Sequence, residues 1–381
     1  MAELRVLQVG KFYPPEEGGM ETHLEGLCRH MRDRAHVEVA VAARSRKTVH
    51  EVIGGVSVTR AGTWATIRSA PLCPDLRRLI HDSRADVVHL HHPNPSAFLS
   101  YLASGHRGRL VVTYHSDVVQ QRLLNIVFDP IVRAVLRRAD AIIVSSQEYL
   151  DTSIMLERYR DRCVIIPMAI DPEGYAAADP AAVAAIRARH GDRIVLAVGR
   201  LVYYKGLEFL IRAMPNVRGH ALIVGQGPMR DALAAEANAL GVADRVTFLG
   251  HVPDTRPYYH AARVFALPSH LRSEAFGIVQ LEAMAAGLPV VNTRIPSGVP
   301  GVSVHGETGL TVPPADPAAL ADAVNRLLDD PALATRLGAA GRQRVAERNT
   351  LEGMTERTLA VYADVMATAG RPARGRARVG A

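Results

Sequence analysis

The sequence predicts an α/β protein built from two doubly wound parallel sheets in tandem. Length is the first reason: 381 residues exceed one ordinary domain and suit two. The second is a set of short runs whose apolarity is continuous rather than alternating, as expected of strands covered on both faces. The third is that this series stops and restarts with the same rhythm of strand-length and helix-length segments.

Taken in order, the first series reads "RVLQVG" (5–10), "VEVAVAA" (37–43), "DVVHLHH" (86–92), "RLVVTYH" (109–115) and "AIIVSS" (141–146). The segment "DPEGYAAADPAAVAAIRARHGD" (171–192) opens with Pro and Gly and then turns Ala-rich, which places a linker near 171–190. The second series reads "RIVLAVG" (193–199), "HALIVG" (220–225), "RVTFLG" (245–250), "RVFALPS" (263–269) and "LPVVNT" (288–293), with helical stretches between. "TLEGMTERTLAVYADVMA" (350–367) has apolar residues at helical spacing and is expected to pack back across the domains. The division is therefore 1–175, 190–350, a C-terminal helix 351–368 crossing back to the first domain, and a basic flexible tail 369–381. Two such domains place a ligand in the cleft between them, outside the carboxyl ends of the strands. Function is sought on the loops that follow strands.

Composition narrows the classes. Hydrophobic residues at 48% and charged residues at 22% are an ordinary globular balance, so disorder is confined to the ends. The N-terminus "MAELRVLQVG" enters a strand pattern without the apolar region of a signal peptide, and no run of about 18 apolar residues occurs. A cytoplasmic protein is the expectation. Cys28, Cys73 and Cys163 lack metal-ligand spacing and read as buried thiols of a reducing compartment. Part of the net charge of +7 sits in the tail, at Arg371, Arg374, Arg376 and Arg378. That tail reads as a solvated end, with a hold on anionic lipid as its functional alternative. No aromatic-rich basic motif accompanies the charge, which argues against nucleic acid.

The chemistry-bearing residues fall on the loops after strands. In "GRLVYYKG" (199–206), Arg200 and Lys205 suit a diphosphate: Arg forks onto two oxygens and Lys adds a mobile charge. The stretch "SEAFGIVQLEAMAAGLPVV" (273–291) places Glu274 on a loop and starts a helix near Phe276 and Gly277. The amides of Phe276, Gly277 and Ile278 would then seat a phosphate at that helix N-terminus. Glu282 is placed to accept two hydroxyls of a vicinal diol such as ribose, and Glu274 those of a second sugar. Singly each reads as a structural Glu. Together with Arg200 and Lys205 they describe a nucleotide-diphosphate sugar. "HLHHP" (89–93) looks like a metal cluster, but strand alternation sends His89 and His91 one way and His92 the other, which argues against zinc.

At these residues the chain resembles the retaining nucleotide-sugar glycosyltransferases of family 4. The motifs are "FYPPEEGGMETH" (12–23), "TYHSD" (113–117), "ADAIIVSS" (139–146), "GRLVYYKG", "VGQGP" (224–228), the E-x7-E of "SEAFGIVQLEAMAAGLPVV", and "GETGLTVPP" (306–314). The resemblance covers nearly the whole chain and implies the GT-B fold: two tandem Rossmann-like domains with a deep interdomain cleft. By resemblance, Glu274 holds the donor sugar and Glu282 the ribose. Arg200 and Lys205 bind the diphosphate and stabilise it as it leaves, replacing a divalent metal. No metal and no other cofactor is expected, and no Asp-x-Asp motif occurs. Gly18 and Gly19 resemble the glycines that approach the donor's distal phosphate and sugar. Val252 would line the base pocket, and His115 resembles the family's donor-sugar histidine.

The stretch 292–314 departs from the common Gly-Gly-x-Pro-Glu segment and resembles the mannosyl and rhamnosyl transferases of surface polysaccharide assembly. This implies GDP-mannose as first donor and UDP-hexoses next. Segment 118–140 mixes Arg122, Arg133, Arg137 and Arg138 with Leu123, Leu124, Ile126 and Phe128. It reads as an amphipathic face for an anionic membrane, or as an ordinary helix with its apolar side in the core. The implied acceptor is a polyprenyl-diphosphate-linked glycan and the implied location is peripheral, on the inner face of the plasma membrane. Rival readings are a transferase using a UDP-sugar and a soluble acceptor, a GT-B sugar-nucleotide epimerase, and a non-catalytic sensor. A dehydrogenase is disfavoured, because "VGKFYPPEEGG" lacks the G-x-G-x-x-G turn.

Overall fold

A computed structural model describes residues 3–16, 18–67, 70–117 and 122–368. The chain divides into two compact units, the first made of residues 1–168 and 351–381 and the second of residues 169–350.

In the first unit the strands are β1 (Arg5–Val9), β2 (His36–Ala42), β3 (Val49–Ile53), β4 (Val56–Ala61), β5 (Ala65–Ile67), β6 (Ala70–Leu72), β7 (Val87–His92), β8 (Arg109–Tyr114), β9 (Ala141–Val144) and β10 (Cys163–Ile165). Eight of them form one sheet in the order β10-β9-β8-β7-β1-β2-β4-β3. All its pairs are parallel except β3 with β4. Val9, Val88, Leu90 and Val112 are buried on the central strands. Full burial of each such side chain contributes about 1.5–3 kcal/mol. The remaining pair, β5 and β6, is a separate antiparallel ribbon.

The second unit adds β11 (Ile194–Val198), β12 (His220–Val224), β13 (Val246–Gly250), β14 (Val264–Leu267), β15 (Val290–Thr293) and β16 (Gly309–Val312). They form a fully parallel sheet in the order β13-β12-β11-β14-β15-β16. The order reverses beside β11, so the loops after β11 and β14 diverge at a switch point. Three helices open on Asp-Pro: the carboxylates of Asp179, Asp316 and Asp330 accept from the amides of Ala181, Ala319 and Leu333 at 3.0, 3.0 and 2.9 Å. The Asp side chain caps an orphan donor while Pro presets the first helical φ.

The stretch 171–190, expected as a linker, lies within the second unit. Its helix Pro180–His190 is tied there by Arg187, whose guanidinium donates to the carbonyls of His260 and Ala261 at 2.8 and 3.2 Å. The helix Leu351–Ala367 belongs to the first unit. It lies so close to the helix Gly19–Met31 that a Cβ at Gly26 would stand 2.7 Å from Leu351 Cδ2.

Cys28 and Cys73 are buried thiols, whereas Cys163 is only partly buried, on the short edge strand β10. Among the described residues no helix is long and apolar enough to cross a membrane. Residues 118–121 and the tail 369–381 lie outside the described residues. The rest of the basic segment is a helix, Arg122–Arg138, with Val132, Val135 and Leu136 turned into the core and Arg137 and Arg138 exposed. Of the two readings of that segment, its C-terminal half takes the ordinary one.

Candidate functional site

In the second unit the chain leaves β11 through Gly199 and makes a tight loop bearing Arg200 and Lys205. Gly199 has φ +143°, and a Cβ there would stand 3.3 Å from both Cε and Nζ of Lys205. Lys205 thus folds back over a position that only glycine leaves open. Arg200 is exposed on the same loop, and the two cations share a small cavity with Pro268 beyond β14.

Lys205 Nζ lies 2.6 Å from Glu274 Oε2, with both side chains 11% exposed. Burial works against the charged ammonium, but Glu274 outweighs it, aided by Tyr204, and holds Lys205 above the ordinary lysine value. Ser269 Oγ donates to the same carboxylate oxygen at 3.2 Å. Glu274 and Lys205, read from the sequence as acting on separate parts of a donor, are thus partners of one another.

The helix expected near Phe276 begins instead at Val279 and runs to Ala285. Gly277 sits at φ +74°, which no helix passes through, and a Cβ there would stand 2.7 Å from Leu267 Cδ2. Among the described residues no backbone carbonyl takes the amides of Phe276, Gly277 or Ile278. The three donors therefore belong to a loop ahead of a two-turn helix rather than to a helix terminus.

Glu282 lies on that helix, where Tyr259 Oη donates to its Oε2 at 2.7 Å and Tyr175 adds a second side-chain hydrogen bond. Burial raises its carboxyl above the ordinary value, against the pull of the two tyrosines and Lys205. Sequence reading missed both tyrosines, which come from distant segments and act through Glu282. Val252 is half-exposed on the loop after β13, apart from these bonds.

The first unit holds Gly18, Gly19 and His115. Gly18 and Gly19 open the helix Gly19–Met31, and one turn in, the buried His23 meets His115 edge-on with ring centroids 4.9 Å apart. His115 follows β8 and belongs to a buried wire of side chains. Gln8 Nε2 donates to Tyr362 Oη at 2.9 Å and Gln8 Oε1 accepts from His91 Nε2 at 3.0 Å. His91 Nδ1 then accepts from His115 Nε2 at 3.0 Å. On the other arm Tyr362 Oη donates to His89 Nδ1 at 2.6 Å, and His89 Nε2 donates to Thr113 Oγ1 at 2.7 Å. The Gln8 amide sets each proton in turn. His115 Nδ1 is left with a lone pair, buried and without a partner. Reversing the wire would leave a buried N–H there instead, the costlier orphan.

His89 and His91 stack with centroids 4.7 Å apart, while His92 stacks on Tyr114 from the other face, as strand alternation requires. Among the described residues, the three ligand-type side chains that converge within 4.8 Å are His23, His91 and His115. Both nitrogens of His91 are already bonded, to Gln8 and His115, so this trio would ligate a metal only by breaking a buried bond.

Comparison with known proteins gives a consistent result. Residues 17–173 match the family model described as Glycosyltransferase Family 4, and residues 180–344 that of Glycosyl transferases group 1. The chain is 37% identical to D-rhamnosyltransferase WbpZ of Pseudomonas aeruginosa, over 90% of this chain and 91% of that protein. It is 33% identical to O-antigen chain mannosyltransferase C of Escherichia coli, over 95% and 99%. It is 34% identical to the GDP-mannose-dependent alpha-(1-6)-phosphatidylinositol monomannoside mannosyltransferase of Mycolicibacterium smegmatis, over 88% and 92%. Among solved structures, Anabaena Alr3699/HepE in complex with UDP and glucose aligns with a TM-score of 0.80 at 20% identity, covering 94% of this chain and all of that one.

Proposed function

Because the chain belongs to the family 4 glycosyltransferases, with the GT-B fold, we propose that it moves a mannosyl group from GDP-mannose to a hydroxyl of a lipid-linked saccharide, keeping the anomeric configuration. The observation that carries the reading is the pair Lys205–Glu274 beside Arg200. It sets two cations and a carboxylate on adjacent loops that follow strands of one sheet. A diphosphate takes the cations and a hexose hydroxyl the carboxylate. Glu282, braced by Tyr259 and Tyr175, takes the ribose hydroxyls.

In the reaction the acceptor oxygen bonds to the anomeric carbon as the bond from that carbon to the distal phosphate oxygen breaks. The departing phosphate accepts the acceptor's proton, and Arg200 and Lys205 offset the charge that develops, without a metal. The lone pair of His115 Nδ1 accepts from a donor-sugar hydroxyl. Gly18 and Gly19 let the backbone approach the distal phosphate, the amides of Phe276, Gly277 and Ile278 bind phosphate oxygens, and Val252 borders the base.

The names of the relatives support a mannosyl or rhamnosyl donor and a glycan or lipid acceptor of surface assembly. A UDP-hexose is the second donor class. The test is nucleotide release from a panel of GDP- and UDP-sugars, with and without membrane lipid extract, in wild type and Glu274→Ala. Release from GDP-mannose that rises with lipid and falls in the variant supports the reading. Release from a UDP-sugar alone moves the donor to the second class, and conversion of the donor without an acceptor would identify an epimerase.

A further inference from the structure

We propose that the ribbon of β5 and β6 is a docking face for an anionic membrane surface. Its strands pair Ala65 with Leu72 and Ile67 with Ala70, which puts these four side chains on one face, while Thr66 and Pro71 share the other. On that side Pro71 is buried while Thr66 is exposed, so the ribbon is seated through β6 and β5 stands outward. The opposite face is turned outward, with Ile67 54% and Leu72 37% exposed. At its base stands Trp64, the sole tryptophan of the chain, 63% exposed, its amide donating to Leu72 O at 3.0 Å. An exposed Trp beside outward aliphatic side chains is costly in water and suited to the headgroup boundary of a bilayer. Ile67 and Leu72 offer nothing to saccharide hydroxyls, so lipid fits this face better than a glycan.

Charge points the same way. The described residues of 43–78 include six basic ones (Arg44, Arg46, Lys47, Arg60, Arg77 and Arg78) against two acidic ones (Glu51 and Asp75), an excess of four. Arg60 is paired with Glu51, Arg44 with Glu16 and Arg78 with Asp82, and Arg77 donates to the Ala103 carbonyl. Arg46 and Lys47 are exposed on the strip whose Ser45 carbonyl accepts from Thr63 N at 2.8 Å, beside the ribbon. Cations beside an exposed apolar face of Trp64, Ile67 and Leu72 are the arrangement that binds anionic lipid by both terms at once.

This inference stands apart from the transferase reading, since it is read without turnover. The full chain is mixed with phosphatidylglycerol-containing or pure phosphatidylcholine vesicles, and Trp64 emission is recorded alongside co-sedimentation. The expected result is a blue shift and co-sedimentation with anionic vesicles, weakened by salt. Binding should fall about tenfold or more in Arg46→Glu/Lys47→Glu and to a similar extent in Ile67→Asp, with circular dichroism unchanged. Co-sedimentation without a Trp64 shift would assign membrane binding to another surface and overturn the proposal. So would equal binding to neutral vesicles, no binding, or a shift produced by soluble oligosaccharide instead of vesicles.

Discussion

Lys205 and Glu274 form a buried ion pair across two loops of the second sheet, and Glu274 is the main countercharge of Lys205. Substituting one alone strands a buried charge, a loss of about 3–5 kcal/mol in comparable pairs. Lys205→Ala is therefore expected to lower both the melting temperature and kcat, by about 100-fold or more for kcat if the ammonium offsets leaving-group charge. The double variant Lys205→Met/Glu274→Gln should regain stability without regaining turnover. Recovery of both together would make the pair purely structural. Binding of free GDP should change less than kcat, and an unchanged kcat in Lys205→Ala would count against its role.

Glu282 gives a pH test. Its carboxyl is already raised by burial, and the Tyr259 hydrogen bond pulls it down, so Tyr259→Phe raises it further. Only the ionised form accepts two ribose hydroxyls, so donor affinity is lost as pH falls through that value. The acid limb of GDP binding, followed by calorimetry, should move to higher pH in the variant. At mildly acid pH the weakening should reach about tenfold, the scale of a hydrogen bond to a charged group. An unmoved limb would remove Glu282 from the ribose.

Much of this was legible in the sequence, and the failures are instructive. Continuous apolarity marks the strands β1, β2, β7 to β9 and β11 to β15, whereas β16, though buried, carries too few apolar residues to show it. Strands β3 to β6 show no such run: β3 is the sheet edge, β4 pairs with it, β5 and β6 lie outside the sheet, and polar residues such as His50, Thr59 and Thr66 interrupt the pattern. β10 has only three residues, and in β16 Gly309 and Thr311 break the apolar run, leaving Leu310 and Val312 alone. In the site, the E-x7-E spacing located both carboxylates. It could not show that Gly277 delays the helix or that Tyr175 and Tyr259 reach Glu282 from other segments. One signal was available and unused: Gln8 stands inside the apolar run "RVLQV", and a fully buried amide there demands partners. Those partners are His91 and Tyr362.

That wire yields a spectroscopic prediction. Tyr362→Phe removes the acceptor that orients the Gln8 amide, and with it the reason for His115 to carry its proton on Nε2. In ¹⁵N spectra of the imidazoles, wild-type His91 and His115 should be single Nε2–H tautomers, and the variant a mixture. Gln8→Glu keeps an acceptor for His91 Nε2 and should retain the wild-type pattern, whereas Gln8→Leu should lose it. A His115 tautomer indifferent to all three changes would mean that Tyr362 and Gln8 merely fill space.

The same histidines tie the first unit's stability to pH. Burial holds His23 and His92 down to about 4 and His89 to about 3, and sets His91 and His115 well below their ordinary 6.5. Their neutral forms are the folded ones. Below 6.5 the unfolded chain takes up protons that the fold refuses, so stability is present above that pH and is lost as pH falls toward 4. Each histidine contributes a slope of roughly 1.4 kcal/mol per pH unit in that window, and five together exceed what most single ionic contacts supply. Thermal melting followed between pH 7 and pH 4 should therefore drop steeply, with several protons taken up on unfolding. His89→Gln, which can still bond both Tyr362 and Thr113, should make the drop shallower by about one proton. A flat profile would mean that water reaches these rings and that the wire is wetter than its geometry.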